Sequence, residues 1–167
     1  MFILKKGTLR GITTASAISA IYVILTLFPG ISVLSFGPLQ ARISEVLCVL
    51  PVFTPWAIPG LAVGCFVSNM LGSVGVADMI FGTLATLIAS GASYYLRKYP
   101  LGISLIPPVL FNGIIVGSML TFVYMNGSKT ALIYNILTVS AGEMAVCYLL
   151  ALPFGVYLKK HSNIFNI

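Results

Sequence analysis

Glu45, Asp78 and Glu143 are the only carboxylate side chains in this 167-residue chain, and each falls inside or at the edge of a run apolar enough to sit in lipid. A charge at the bilayer centre costs roughly 2.5–3.5 kcal/mol on insertion scales, so acids kept there usually face a polar cavity, a partner or a ligand. Arg42, Asn69, Asn112 and Asn135 share the same runs. Arg42 and Glu45, three residues apart, can pair on a helix. A carboxylate offers two acceptor oxygens side by side, which match the adjacent ring N–H and exocyclic NH₂ of a guanine-like edge, and an asparagine adds both a donor and an acceptor. The chemistry these residue types support is recognition of a small, flat, polar molecule. Apolar or aromatic walls would complete such a site, and Phe36, Phe66, Phe81, Phe111 and Tyr148 are candidates.

The elements that must position these groups are membrane helices. Hydrophobic residues make up 59% of the chain and charged residues 7%, and the mean hydropathy is +1.07, far from the mix of a soluble domain. At about 20 apolar residues per crossing, the chain has room for a single membrane domain of six transmembrane helices. Read against Gly, Pro, Asn and charge punctuation, the spans fall near 10–28, 39–53, 57–72, 77–96, 106–125 and 132–158. The second is the weakest, because Gln40, Arg42, Ser44 and Glu45 crowd its start and Pro51 and Pro55 follow. It is expected to be short, tilted or shielded by neighbours. The first span is read as a retained helix, since its apolar run is as long as a full crossing and no small-residue cleavage site follows. With an even count both termini share one side, where Lys5, Lys6, Arg10, Arg97, Lys98, Lys159 and Lys160 also fall. The positive-inside rule makes that side cytoplasmic. The +6 net charge is thereby accounted for by topology, and its short flanking clusters do not form a nucleic-acid surface.

Counting along the spans puts Glu45, Asn69 and Asp78 in the outer leaflet and Asn112 and Glu143 deeper. The expected shape is a cup open to the outside. Asn135 lies eight residues before Glu143 and can face the same cavity. Gly30, Gly37 and Pro38 make the loop 29–38 either a lid or an ordinary turn. Cys48, Cys65 and Cys147 are scattered within spans and are expected to pack as small apolar residues. His161 is read as a solvated tail residue, and Trp56 and Tyr99 as interfacial anchors. Metal centres and His-dependent nucleophiles therefore lack their residues, and no phosphate-cradling glycine loop is present. No cofactor and no enzymatic activity are expected of this chain. Small-residue spacings at Gly60/Gly64, Ala85/Ala89 and Gly113/Gly117 suit close helix packing within the bundle. On the first span Thr13, Ser16, Ala17 and Ala20 offer enough small surface for a foreign helix as well.

The run Gln40-Ala41-Arg42-Ile43-Ser44-Glu45-Val46-Leu47-Cys48-Val49-Leu50-Pro51, followed by Phe53-Thr54-Pro55-Trp56-Ala57-Ile58-Pro59-Gly60-Leu61, closely resembles the QueT family of substrate-binding subunits of energy-coupling factor transporters. The likeness continues through Asn69, Asp78 to Leu87, Pro107 to Asn112, Gly142-Glu143 and Cys147-Tyr148, nearly the whole chain. The resemblance implies a six-helix membrane subunit that binds a queuosine precursor, a 7-deazaguanine, at its outer face. It implies partners too: a membrane coupling subunit and two cytoplasmic ATPases that drive reorientation and release. In that family an Ala-x-x-x-Ala face on the first helix meets the coupling subunit. The nearest equivalent here is Ser16 to Ala20, with Thr13 and Ala17 beside it. The substrate-binding set then reads Arg42, Glu45, Asn69, Asp78, Asn112 and Glu143, with Glu143 and Asn112 suited to the guanine-like edge and Glu45 or Asp78 to an aminomethyl cation. The competing readings are a subunit for another heteroaromatic vitamin, or a stand-alone transporter in which Gly113 and Gly117 line a self-association seam.

Overall fold

The computed structural model describes residues 6–29, 42–72, 75–125 and 127–161. Lys5, Phe36, Gln40, the start of the second expected span and nearly all of the loop 29–38 lie outside the described residues. Among the described residues the regular structure is entirely helical, as unbroken apolar runs require when lipid leaves no partner for open backbone groups. Four helices are long and apolar enough to cross a membrane: α1 (Gly7–Leu27, extended to Lys6 by backbone geometry), α3 (Val76–Lys98), α4 (Leu101–Tyr124) and α5 (Lys129–Lys160). Two shorter apolar helices accompany them, a 3₁₀ helix at Ile43–Val52 and α2 at Ala57–Leu71.

The weak second span is thus a tightly wound ten-residue helix. It is also the most enclosed element, with Ser44, Glu45, Leu47, Cys48, Val49, Leu50 and Pro51 all buried. It packs on α1, α3 and the C-terminal half of α5. Fifteen residues make α2 about 22 Å long at 1.5 Å per residue, shorter than a hydrocarbon core of about 30 Å, so the third span is less than a full crossing by length. The fifth begins at Leu101 and not at 106: Pro107 and Pro108 lack N–H groups, and the ladder is interrupted at Leu105 just before them.

Glycines decide how the helices meet. A Cβ on Gly60 would lie 2.7 Å from the Ala15 carbonyl oxygen, and one on Gly64 would lie 2.8 Å from the Tyr22 Cβ. Because Gly60 meets Ala15 and Gly64 meets Ser19 and Tyr22, α1 and α2 run parallel in close contact. On the other side of the bundle Gly117 rests on the Ile136 backbone, 2.8 Å from a would-be Cβ, and Gly113 sits beside Ser140. The Gly113/Gly117 seam is therefore filled by α5 of the same chain. Ala85 and Ala89 are fully buried on α3, packing of the internal kind expected for them. Trp56 is more than an interfacial anchor, since its indole fills the space that Gly11 leaves on α1.

These contacts put the C-terminal ends of α1, α2 and α4 with the N-terminal end of α3 at one end of the bundle, away from Arg10, Arg97, Lys98, Lys159 and Lys160. Replacing Gly64 by valine forces the added carbons into Tyr22 and Ser19. The variant is expected to lose about 1–3 kcal/mol of stability, typical of overpacking a close helix contact. Thermal unfolding in detergent should show a clearly lowered midpoint, whereas Gly7→Val, where a Cβ meets nothing within 4 Å, should leave it unchanged.

Candidate functional site

A 3₁₀ helix has three residues per turn, so side chains at i and i+3 stack in one row. In the Ile43–Val52 helix this row carries Glu45 and Cys48, with Arg42 at its cap. All three are buried, Glu45 to 1% exposure. The Tyr22 hydroxyl of α1 donates to Glu45 Oε1, and the Cys48 thiol donates to Glu45 Oε2. Arg42 Nη1 reaches Cys65 Sγ on α2 at 3.5 Å. Beside them Thr26 donates to the Tyr22 carbonyl at 2.8 Å and contacts Ser44 Oγ at 2.7 Å, tying α1 to the start of the short helix.

Glu143 on α5 and Asn112 on α4 are both 4% exposed, and Asn112 Nδ2 donates to Glu143 Oε1 at 3.0 Å. Glu143 Oε2 is buried with no hydrogen-bond partner. The short helix that carries Glu45 packs against α5, the helix that carries Glu143. The backbone of α4 and α5 is irregular here. Asn112–Val116 and Cys147–Ala151 are π-helical turns, a wide winding that recurs at functional sites.

The third cluster lies at the end of the bundle away from Arg10 and Lys160. Asn69 near the end of α2 donates through Nδ2 to the Asp78 backbone carbonyl at 2.9 Å and contacts Cys65 Sγ at 3.6 Å. Asp78, in the first turn of α3, accepts from the Tyr124 hydroxyl at 2.8 Å through Oδ2. Asn69 Oδ1 and Asp78 Oδ1 are buried without partners.

The six expected site residues thus fall into three groups, Arg42 with Glu45, Asn112 with Glu143, and Asn69 with Asp78, the first and third linked through Cys65. Asn135 does not join them: it is buried on α5 and donates to Thr121 Oγ1 at 2.9 Å and to Met125 Sδ at 3.4 Å, a bridge back to α4. Of the proposed aromatic walls, Phe66 and Phe81 are each 41% exposed on the outside of the bundle. Tyr148 turns its hydroxyl to the Gly102 carbonyl at 2.8 Å. An aromatic outside that set, Tyr22, is the one whose hydroxyl reaches Glu45. Cys48 and Cys65, expected to be apolar filler, act as polar partners of Glu45, Arg42 and Asn69. Their three-residue and four-residue spacings from Glu45 and Asn69 were the available signal.

A profile of the QueT transporter family matches residues 12–160 of the chain. The chain belongs to the QueT transporter family. Over 85 residues it is 41% identical to the queuosine precursor transporter QueT of Lactococcus lactis subsp. cremoris, an alignment covering 51% of this chain and 50% of that protein. The aligned stretch thus spans about half the length of this curated relative. No solved structure matches the chain. Membership of a transporter family, together with four crossing-length apolar helices, makes this a multi-pass membrane protein.

Removing the Tyr22 hydroxyl leaves Glu45 Oε1 without its cross-helix donor inside the bundle. Tyr22→Phe is expected to destabilise the protein by about 1–3 kcal/mol, the range for a buried acceptor left unsatisfied. Phe66→Leu on the outer surface should change stability by less than about 0.5 kcal/mol. Denaturant or thermal titrations of the two purified variants compare them directly.

Proposed function

We propose that this chain is the solute-binding membrane subunit of an energy-coupling factor importer, and that it captures a queuosine precursor of the 7-deazaguanine type. The family match and the queuosine precursor transporter of Lactococcus support the solute class. The observation that carries the site assignment is Glu143 Oε2, a buried carboxylate oxygen with no donor, beside an asparagine that already holds Oε1. Such a group costs about 1–3 kcal/mol or more until a donor arrives. A ring N–H next to an exocyclic NH₂ supplies two donors at the spacing of a carboxylate. Glu45 plays a different part in this reading, because Tyr22 and Cys48 already donate to its two oxygens. It fixes the short helix and its neighbouring Arg42, whose single positive charge offsets one of the two carboxylates.

In the same proposal the chain crosses the membrane six times, with the 3₁₀ helix and α2 completing two crossings inside the bundle. Both termini are cytoplasmic, as the basic residues at that end favour. Thr13, Ser16, Ala17 and Ala20 are all exposed on α1, on the face turned away from the Ala15, Ser19 and Tyr22 contacts with α2. Apolar grooves of about 580 Å³ and 650 Å³ flank that face, one along α2 and one along the short helix and Phe154. Small residues between grooves let a partner helix approach closely. We assign this surface to the membrane coupling subunit and ATP hydrolysis to two cytoplasmic ATPase partners.

Glu143→Gln keeps the shape of the site and can still accept from Asn112, but it loses the charge and replaces one acceptor oxygen by a donor. It is expected to weaken 7-deazaguanine binding by at least about tenfold, or about 1.4 kcal/mol, while the unfolding midpoint stays near wild type. Equal affinities by calorimetry would remove Glu143 from the site. In liposomes, uptake of the deazaguanine is expected only when the coupling subunit and ATPases are co-reconstituted with ATP. Uptake by the chain alone would establish the stand-alone reading in its place.

A further inference from the structure

Asn69 and Asp78 are each 1% exposed, yet both carry an oxygen with nothing to accept from. The direction of the Asn69 amide is fixed by chemistry. The Asp78 carbonyl can only accept, so the group 2.9 Å from it is the NH₂, and Oδ1 points elsewhere. Asp78 Oδ2 is occupied by the Tyr124 hydroxyl, whereas Oδ1 is not occupied. The surrounding backbone is cleared for these side chains. A Cβ on Gly82 would lie 2.9 Å from Asn69 Nδ2, and one on Gly75 would lie 2.7 Å from the Tyr124 hydroxyl. Gly75 also holds φ at 102°, a conformation that L side chains rarely adopt.

Two buried acceptors, one of them charged, are a poor arrangement by themselves and a good one around a positive ion. Oxygen donors suit hard cations, and a single carboxylate balances a single positive charge. Tyr124 lies about 18 Å along α4 from Asn112 at 1.5 Å per residue, so this cluster sits nearer the end of the bundle than the Glu143–Asn112 pair. Its three side chains join α2, α3 and α4.

We infer that Asn69, Asp78 and Tyr124 frame a subsite for a singly charged cation, either a free alkali ion or the ammonium group of a captured ligand. The ammonium case rests on the solute class proposed above; the alkali case does not. The purified full-length protein in lipid nanodiscs distinguishes them. In the first arm, unfolding is followed without any deazaguanine as NaCl, KCl or methylammonium chloride replaces choline chloride at constant ionic strength. A rise of the midpoint that grows with the logarithm of cation concentration, absent in Asp78→Asn, assigns a free cation, since a ligand at concentration L that binds only the folded state stabilises it by RT ln(1 + L/Kd). In the second arm, binding of 7-aminomethyl-7-deazaguanine is compared with that of its 7-cyano analogue. A preference of about tenfold for the amine, collapsing in Asp78→Asn, assigns the ligand's ammonium.

The inference is overturned if neither effect occurs, if both persist unchanged in Asp78→Asn, or if stability responds to pH and to no cation. Failure to bind any deazaguanine would remove the proposed solute and leave the first arm intact. Should Asp78→Asn not fold, Tyr124→Phe serves instead: it keeps the carboxylate and removes the neutral donor from Oδ2. The cation effect should then set in at severalfold lower concentration, and an unchanged onset counts against the subsite.

Discussion

A carboxylate drawn into an apolar bundle must be given donors there, and the arrangement of this molecule follows from that demand. Glu45 receives a hydroxyl from α1 and a thiol from its own helix. Glu143 receives an amide from α4, and Asp78 receives a hydroxyl from the end of the same helix. Each bond formed is worth a modest amount net, because unfolded segments in lipid also find partners. Each bond left unmade costs more, since neither water nor lipid supplies a replacement inside the bundle. The polar contacts therefore act chiefly by excluding other packings. An α1 rotated by one residue would carry Tyr22 away from Glu45 and would lift Ala15 and Ser19 off the α2 glycines.

The backbone bends its own rules where these contacts are made. A standard α-helix through Ile43–Val52 would advance 100° per residue and spread Arg42, Glu45 and Cys48 over a wide arc, while the 3₁₀ winding aligns them. Pro51 contributes to the departure by withholding an N–H from the ladder. The π turns at Asn112–Val116 and Cys147–Ala151 do the opposite, widening α4 and α5 beside the Asn112–Glu143 bond. Such windings sacrifice backbone regularity, and the glycine seams help offset that through close dispersion contact between α1 and α2 and between α4 and α5.

Hydropathy made the helical class and the approximate helix positions legible, because lipid imposes one coarse rule on every residue of a span. The acids were legible for the same reason: Glu45, Asp78 and Glu143 violate that rule. Their partners were not. Tyr22, Cys48 and Cys65 are ordinary packing residues by type, and only the 3₁₀ row and the parallel contact of α1 with α2 turn them toward charge. Phe66 and Phe81 illustrate the converse difficulty. In a helix apolar on every side, periodicity does not separate the face toward the core from the face toward lipid, so their outward position had no signature. Asn135 shares an angular sector with Glu143, but Thr121 offers it a nearer partner across the α4–α5 hairpin.

The distribution of satisfied and unsatisfied oxygens separates roles that residue type leaves identical. Glu45 has a donor on each oxygen from within the chain, and a ligand that displaced either would have to compensate for a broken cross-helix bond. Glu143 and Asp78 each retain one oxygen that the protein itself does not serve. A Gln or Asn of the same shape would avoid the desolvation cost of the charged form, so two such carboxylates in so acid-poor a chain support the reading in which the missing donors arrive with something bound. In the proposed reading, an incoming hydrogen-bond edge or cation gains its own contacts and also serves a carboxylate oxygen that no group of the protein serves.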